Sequence, residues 1–335
     1  MTITTDPGEE TAAAPVRRRR RWPHVLLWIA AAGWAVFAVW RLFGPDRPWA
    51  AVVALAYTPY VLAASLAPII VALLLRAGRA LTLLLLTAMA LVAVVAPRGI
   101  ATTPPSVDGP ELVVMTANLR VGGGDVATLE ELIRENGVDV LSVQEVTAEG
   151  LEALRRHVAP LLPYEVVQVG QAAGGTGIYS RFPLTEREPV DGMFHMPRAT
   201  LEVPGAAPVD FTAVHPASPH APERMVEWRR DLAALPSADR NGAVRILAGD
   251  FNATLDHRSL RDLIDTGYTD AADATGTGLI GTWRPVGGVK GLAPPVALDR
   301  VLVDERVAVR DVSVHAVEDS DHRAVVVVLG LPGAE

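Results

Sequence analysis

Three apolar runs without a single charge, at residues 25–40, 49–75 and 80–96, constrain this chain more than anything else in it. A helix of about 20 residues, within a range of roughly 17–25, crosses the hydrocarbon core of a bilayer. The second run is long enough to tilt, with Pro59 and Pro68 as candidate kinks, and the first is short unless its flanks help. Trp22, Trp40 and Trp49 stand at run ends, where indole rings favour the headgroup zone. Residues 1–24 therefore read as a basic tail, 25–96 as three transmembrane helices, 97–110 as a linker and 111–332 as a soluble domain.

Arginine placement orients the spans. Arg17 to Arg21 precede the first run, and Arg76 and Arg79 separate the second from the third. Arg41, Arg47 and Arg98 fall on the opposite side, with Asp46 beside two of them. The positive-inside rule puts the N-terminus in the cytoplasm, so three crossings deliver residues 101–335 to the outside. The five-arginine run then lies on the anionic inner leaflet. A cleaved signal peptide also begins with arginines before an apolar run, but two further spans and no clear small-residue cleavage site weigh against it. The linker "PRGIATTPPSVDGP" reaches no more than ~50 Å when stretched, which keeps the outer domain near the headgroups.

The composition changes sharply after residue 100. Of 38 acidic and 30 basic residues, 34 and 20 lie in 101–335, a formal charge of −14 for that part. Such a surface repels polyanions, and non-specific DNA binding draws mostly on basic residues meeting phosphates. The chain has no cysteine, which excludes disulfides and thiolate metal sites.

Strands and helices alternate beyond the linker. "ELVVMTANL" (111–119) reads as a buried strand. "DVATLEELIRENG" (125–137) reads as a helix with Asp125 as N-cap and Gly137 as its stop. Further strands are expected at 138–146, 198–215 (a hairpin turning at Gly205), 244–250 and near the C-terminus, and further helices at 148–161 and 222–235. The consecutive strands at the end imply antiparallel pairing. The class is mixed α/β, helices covering a sheet or two sheets. No internal repeat, P-loop or dinucleotide fingerprint occurs.

What stands at the strand ends is informative. The first strand ends in Asn118, the second in Gln144-Glu145, the hairpin's return strand in His215 and the next in Asp250-Phe251-Asn252. Asp299 begins "ALDRVLV", and Asp321-His322 precede the last strand. Taken singly, each has an ordinary explanation as a turn, a surface charge or a satisfied loop histidine. Together they put three Asp, one Glu, two Asn and two His on one rim of a sheet, the make-up of a site that holds a cation and an oxyanion. Oxygen donors without thiols suit a hard cation, Mg²⁺ or Mn²⁺, which acts as a Lewis acid on a phosphoryl oxygen. The histidines supply proton transfer, and an aspartate beside a histidine fixes its tautomer. With no activated Ser or Cys evident, water is the nucleophile and phosphoester hydrolysis the reaction class.

Seven blocks in order, "TANLR", "VQEV", "GTGIYSRFPL", "FTAVHP", "AGDFNAT", "ALDRVLV" and "SDHRAV", resemble those of the endonuclease/exonuclease/phosphatase family, over about residues 111–330. The resemblance implies a DNase I-like four-layer α/β sandwich, two mixed sheets flanked by helices, and divalent-metal hydrolysis of a phosphoester. It casts Glu145 as main metal ligand, with Asn118 close by and Asp321 contributing. It casts His215 as the contact to the scissile phosphate or leaving group, and Asp250 as the residue that orients or deprotonates water. Asn252 would hydrogen-bond the phosphate, and His322, with Asp299 oriented towards it, would be the essential histidine near the chain's end. The base is either Asp250 or His322. Arg300 stands where a histidine or tyrosine is more usual, and no acidic partner of His215 is evident. Three spans ahead of such a domain resemble a membrane-bound subgroup that includes glycopeptide-resistance proteins of the vancomycin cluster. That likeness implies an extracytoplasmic phosphatase acting on a lipid-linked phosphate or pyrophosphate, such as a cell-wall lipid carrier. A membrane-tethered nuclease and a catalytically inactive binding module are the alternatives.

Overall fold

The computed structural model describes residues 21–286 and 291–334. Arg17 to Arg20 of the basic run lie outside the described residues. Helices α1 (Trp22–Phe43) and α5 (Gly78–Val95) are each part of a helix long and apolar enough to cross a membrane. The middle apolar run is not one helix. It is divided into α2 (Trp49–Ala56), α3 (Thr58–Ala64) and α4 (Leu66–Leu74), with a bend of 73° between α2 and the α3–α4 rod. Pro59 accounts for the break. It has no N–H to give the Leu55 carbonyl four residues back, and its ring would strike that oxygen. The Thr58 hydroxyl donates to the Leu55 carbonyl instead, at 2.7 Å. Two helices are therefore long and apolar enough to cross a membrane, and a third candidate exists only if the bent pair counts as one.

The rest of the chain forms β1 (Glu111–Asn118), α6 (Val126–Asn136), β2 (Val140–Gln144), α7 (Ala148–His157), β3 (Tyr164–Gln168), β4 (Thr176–Ser180), β5 (Leu184–Val190), β6 (Met196–Leu201) and β7 (Val209–Val214). It continues through α8 (Met225–Ala234), β8 (Val244–Asp250), α9 (Arg258–Ile264), β9 (Tyr268–Asp270), α10 (Ala271–Ala274), β10 (Asp299–Asp304), β11 (Ala308–Ala316) and β12 (Arg323–Gly330). Two six-stranded sheets result, in the orders β11-β12-β1-β2-β4-β3 and β5-β6-β7-β8-β10-β9. The pairs β1–β2 and β7–β8 are parallel and the others antiparallel, so both sheets are mixed. Local signals are obeyed. Asp125 caps α6 by accepting from the Ala127 and Thr128 amides, and Gly137 ends it in the left-handed region at φ 63°.

The strands are apolar on both faces because both faces are covered. In β1, Leu112 and Val114 enter the layer between the sheets, with Phe211, Ile246 and Val301 from the second sheet. The alternate residues Val113, Met115 and Ala117 face Leu129, Ile133 and Leu154 of α6 and α7. On the far side, Leu247 and Leu302 meet Trp228 and Leu232 of α8 and Leu260 of α9. Towards one end the inter-sheet layer turns polar. The Ser142 hydroxyl donates to the Ala248 carbonyl at 2.7 Å, joining the sheets, and Gln144 donates to Ser142 at 2.8 Å.

The helical segment is docked on this sandwich. Arg41 at the end of α1 and Arg98 in the turn after α5 both bind the buried Asp256 carboxylate, with Arg98 reaching it at 2.7 Å through two nitrogens. Burial opposes the charge on Asp256, but its bonds with Arg98 and Arg41 prevail and hold the carboxyl below its ordinary range. Asp46, between α1 and α2, accepts from the Arg258 and Ser259 amides at 2.9 and 2.7 Å and so caps α9. Residues 97–110, read as a linker, are held along the domain: Arg98 is buried, Thr102 donates to Ala274 and Gly333 to Asp108. Removing one member of a buried charge cluster costs about 3–5 kcal/mol, because the others stay buried unpaired. Asp256→Asn should therefore lower stability by that order, measured by unfolding of the detergent-solubilised protein; an unchanged midpoint would refute this account.

Candidate active site

Strand parity assembles the site. Side chains alternate between faces, so Asn118 continues the inward series Leu112, Val114, Thr116, while Asp250 continues Ile246 and Ala248. His215 follows Phe211 and Ala213, and Asp299 leads Val301 and Val303. Asp250 and Asp299 are direct partners across the β8–β10 ladder. The residues collect at one end of the gap between two sheets, not on one rim of a single sheet, as the strand ends alone had suggested. Phe251 has the opposite parity and is fully buried in the outer core. Glu145 would by parity follow Val143 outward. Its backbone instead adopts φ 61°, a left-handed conformation uncommon for a residue with a side chain. Its carboxylate bonds to Asn118.

Asp250 is the hub. Its Oδ2 accepts from Asn118 Nδ2 at 3.1 Å and lies 4.0 Å from His215 Nε2 and 3.7 Å from His322 Nε2. Its Oδ1 accepts the Asn252 amide at 2.8 Å, an Asx turn that carries Asn252 into φ 48°. Asn118 Nδ2 also donates to Glu145 Oε1 at 3.2 Å, so one amide joins both carboxylates. The Val121 amide donates to Glu145 Oε2 at 2.5 Å. Asn252 gives an amide hydrogen to the Pro216 carbonyl at 3.1 Å, and its own carbonyl accepts from Trp228 Nε1.

The two imidazoles are in opposite states. His322 Nδ1 donates to both Asp299 oxygens, at 3.1 and 2.9 Å, and Thr282 Oγ1 donates to Asp299 at 2.6 Å from behind. Burial works against the charge on His322, but Asp299 and Asp250 outweigh it and raise its pKa to about 10. His215 is fully enclosed, its ring 4.8 Å from that of Phe194, and among the described residues nothing bonds its Nδ1. Burial lowers its pKa to about 4, against the pull of Asp250. It is therefore neutral near pH 7, while His322 is an imidazolium. Among the described residues no carboxylate bonds His215 Nδ1, and Glu145 and Asp250 each lie 4.0 Å from its Nε2.

Burial also raises the proton affinity of Glu145 and Asp250, despite the donors and cations that oppose it. A buried and a partly buried carboxylate joined by one amide, with no thiol nearby, make a donor set suited to a hard cation. Asp250, Asp299 and His322 also present ligand atoms within 4.8 Å of one another. Asp299 and His322 Nδ1 are committed to each other and Asp250 faces both histidines, which leaves Glu145 as the better cation holder. Asp321 stands apart: Trp283 Nε1 donates to it at 3.2 Å, Arg120 lies 3.8 Å away, and among the described residues no hydrogen bond joins it to Glu145 or Asn118. Arg300 serves the scaffold, buried against Asp270 at 2.6 Å, and Arg198 pairs with Asp210.

Three contributors escaped the sequence reading. Thr282 steadies Asp299. Ser320 accepts the His322 amide at 3.1 Å and donates to the Asn118 carbonyl at 2.8 Å, joining the two loops. Phe194 covers His215. Ser320 carries a faint signal, a hydroxyl two residues before a loop histidine; Thr282 and Phe194 carry none, because their partners are distant in sequence.

Comparison with known proteins agrees with this fold. Similar solved structures include TDP2 from D. rerio complexed with a single-strand DNA product, at 16% identity over 66% of this chain and 99% of that one, with a TM-score of 0.52. Truncated TDP2 from Caenorhabditis elegans is 17% identical over 67% and 100%, with a TM-score of 0.50. An endonuclease/exonuclease/phosphatase from Beutenbergia cavernae is 20% identical over 67% and 72%, at 0.48. At such identities the likeness concerns the fold alone. No curated protein matches the sequence. A sequence model of the Endonuclease/Exonuclease/phosphatase family matches residues 115–322, more than half of the chain. The chain belongs to the endonuclease/exonuclease/phosphatase family.

Proposed function

We propose that this protein is a membrane-anchored, divalent-metal-dependent phosphoester hydrolase with an extracytoplasmic active site, acting on a lipid-linked phosphate or pyrophosphate. The observation that carries the hydrolytic part is the continuous chain Glu145–Asn118–Asp250, faced by a neutral and a charged histidine. Glu145, with Asn118 beside it, would hold the cation, and Mg²⁺ or Mn²⁺ there would supply Lewis-acid polarisation of a phosphoryl oxygen. Asp250 is the base that orients and deprotonates water, because His322 already carries its proton. The His322 imidazolium donates from Nε2 to a phosphoryl oxygen as charge builds, with Asp299 holding its ring. Neutral His215 hydrogen-bonds the phosphate or the leaving oxygen, and Asn252 contributes its second amide hydrogen. Asp321 acts less directly, by fixing Trp283 beside His322.

The membrane part rests on two supports. The ends of α1 and α5 that bear Arg41 and Arg98 both meet the catalytic domain. At the opposite end, Arg76 and Arg79 line a cavity of about 760 Å³ shared with His24 and Trp28. That distribution suits α1, the α3–α4 rod and α5 as three crossings with the basic N-terminus inside. The rod's 17 residues span ~25 Å at 1.5 Å each, close to the ~30 Å core.

A tethered nuclease is the second reading, favoured by the single-strand DNA product bound to the D. rerio structure. The net charge of −14 over residues 101–335 opposes it. So does the placement of Arg224, Arg229 and Arg230, the candidates for a basic patch: Arg224 lies against Met193, Arg229 bonds the Asp46 carbonyl and Arg230 pairs with Asp231. A catalytically inactive module is disfavoured because all eight matched side chains are present.

Purified full-length protein should hydrolyse a lipid pyrophosphate with Mg²⁺ and stop with EDTA, while phospholipid and plasmid DNA assayed alongside react slowly or not at all; preferential plasmid nicking would select the nuclease. Glu145→Ala should lose at least ~10²-fold in kcat/KM, since even an outer-shell partner is typically worth about 10–100-fold. Full activity in that variant would sink the assignment. The imidazolium of His322 is required, so activity should fall as pH rises through its pKa of about 10. Asp299→Asn removes the counter-charge, and the alkaline limb of the pH–rate profile should move to lower pH; a limb that stays in place contradicts the role given to His322.

A further inference from the structure

The α2–α3 corner touches the catalytic domain at three places, each a loop that carries a catalytic group. Trp49 Nε1 donates to the Pro219 carbonyl at 2.8 Å, in the loop that follows His215. His257 Nε2 donates to the Val52 carbonyl at 2.9 Å, in the loop that follows Asp250 and Asn252. The tautomer is settled by the other ring nitrogen, which accepts the Thr254 amide. The Val52 side chain is buried in the same cluster as Phe251, Ala253 and Leu255. Tyr60 donates its hydroxyl to the Pro295 carbonyl at 2.6 Å, in the segment that leads to Asp299. The next residue, Val296, exchanges backbone hydrogen bonds with Trp283 and accepts from Thr282, and Thr282 holds Asp299. The first two loops are tied to each other by the bond from Asn252 to Pro216.

We propose that the α2–α3 corner is a positioning element of the active site, with Trp49 and Tyr60 as positioning residues that set His215, Asp250–Asn252 and the Asp299–His322 pair relative to one another. The corner reaches residues of the loops bearing the acid–base groups. Among the described residues it makes no hydrogen bond to the loop after Asn118 or to Glu145, where the cation is held. Its loss should therefore lower turnover and spare the metal. The bend at Pro59 is what makes this reach available: a straight helix from Trp49 to Leu74 would carry Trp49, Val52 and Tyr60 along one rod, with no face turned across three loops. Anchoring and catalysis then share one structure, and the membrane segment is more than a tether.

The kinetic side of this proposal rests on the hydrolase reading; the structural side does not. The test uses full-length protein in phospholipid nanodiscs, comparing wild type with Trp49→Phe/Tyr60→Phe, which removes two hydrogen-bond donors and keeps both rings. Trp34→Phe is the control, since it removes a similar indole-to-carbonyl bond, from Trp34 to Val61 at 3.1 Å, within the helical bundle. With bis(p-nitrophenyl) phosphate as probe, kcat should fall ~10-fold or more, as misplacement of reacting groups allows. KM and the Mg²⁺ concentration for half activation should stay within ~2-fold, and the unfolding midpoint should match the control. Wild-type kcat, or a kcat that falls only in step with the midpoint, overturns the proposal. If the wild type hydrolyses nothing, the hydrolase reading fails, and amide hydrogen exchange decides the rest. Faster exchange at 216–221 and 251–257, with 119–124 unchanged, supports the corner's role; identical exchange overturns it.

Discussion

Burying Asp250 and Asp299, and most of Glu145, at one end of an apolar gap is tolerable only because each has something to answer its charge. Asp299 has the proton of His322, Asp250 faces the same imidazolium, and Glu145 shares the Asn118 amide with Asp250. An unpaired buried charge costs several kcal/mol, so these groups cannot be rearranged singly. Among the described residues no cation bonds Glu145, and His215 beside it is held neutral by its surroundings. That balance suits this end of the gap to a hard cation.

The sandwich supplies rigidity to this arrangement through polar contacts that thread between the sheets. Ser142 and Gln144, on the inward face three residues and one residue before Glu145, form one such contact: Ser142 fastens β2 to β8 and Gln144 steadies Ser142. Thr282 and Ser320, both in loops, perform the same service for Asp299 and His322. The catalytic side chains are thus held by a second set of small hydroxyls and amides, whose partners lie from 2 to more than 200 residues away. The helical segment extends this network outwards, through the Asp256 cluster on one flank and the α2–α3 corner on the other.

Legibility followed the range of the interaction. The helix α6 was read to within a residue because its cap and its stop, Asp125 and Gly137, act locally. The strand β8 and the residues at its end were read from an apolar run that stops at Gly249-Asp250. Eight candidate residues were named from strand ends, and seven of them, all but Asp321, meet at one end of the gap. The two mixed sheets were implied by the resemblance, but strand ends alone did not show which of them face each other across the gap, nor the inward turn of Glu145, which depends on one left-handed residue. Arg300, adjacent to Asp299 in sequence, pairs with Asp270 instead, since neighbours on a strand face opposite ways. The middle apolar run looked like one tilted span; Pro59 was a visible candidate kink, but the size of the bend was not.

The sequence by itself determined the two-part character of the chain, its α/β class, its family and the chemical types at the site, because these follow from local patterning and from motifs in order. Only the tertiary structure decided which charges meet. It joined Arg41, Arg98 and Asp256 across 215 residues, left His215 Nδ1 without a hydrogen bond among the described residues and gave His322 two carboxylates. Periodicity says which face a side chain takes. The sign and strength of its charge are set by neighbours that arrive from elsewhere in the chain and by how much water they exclude.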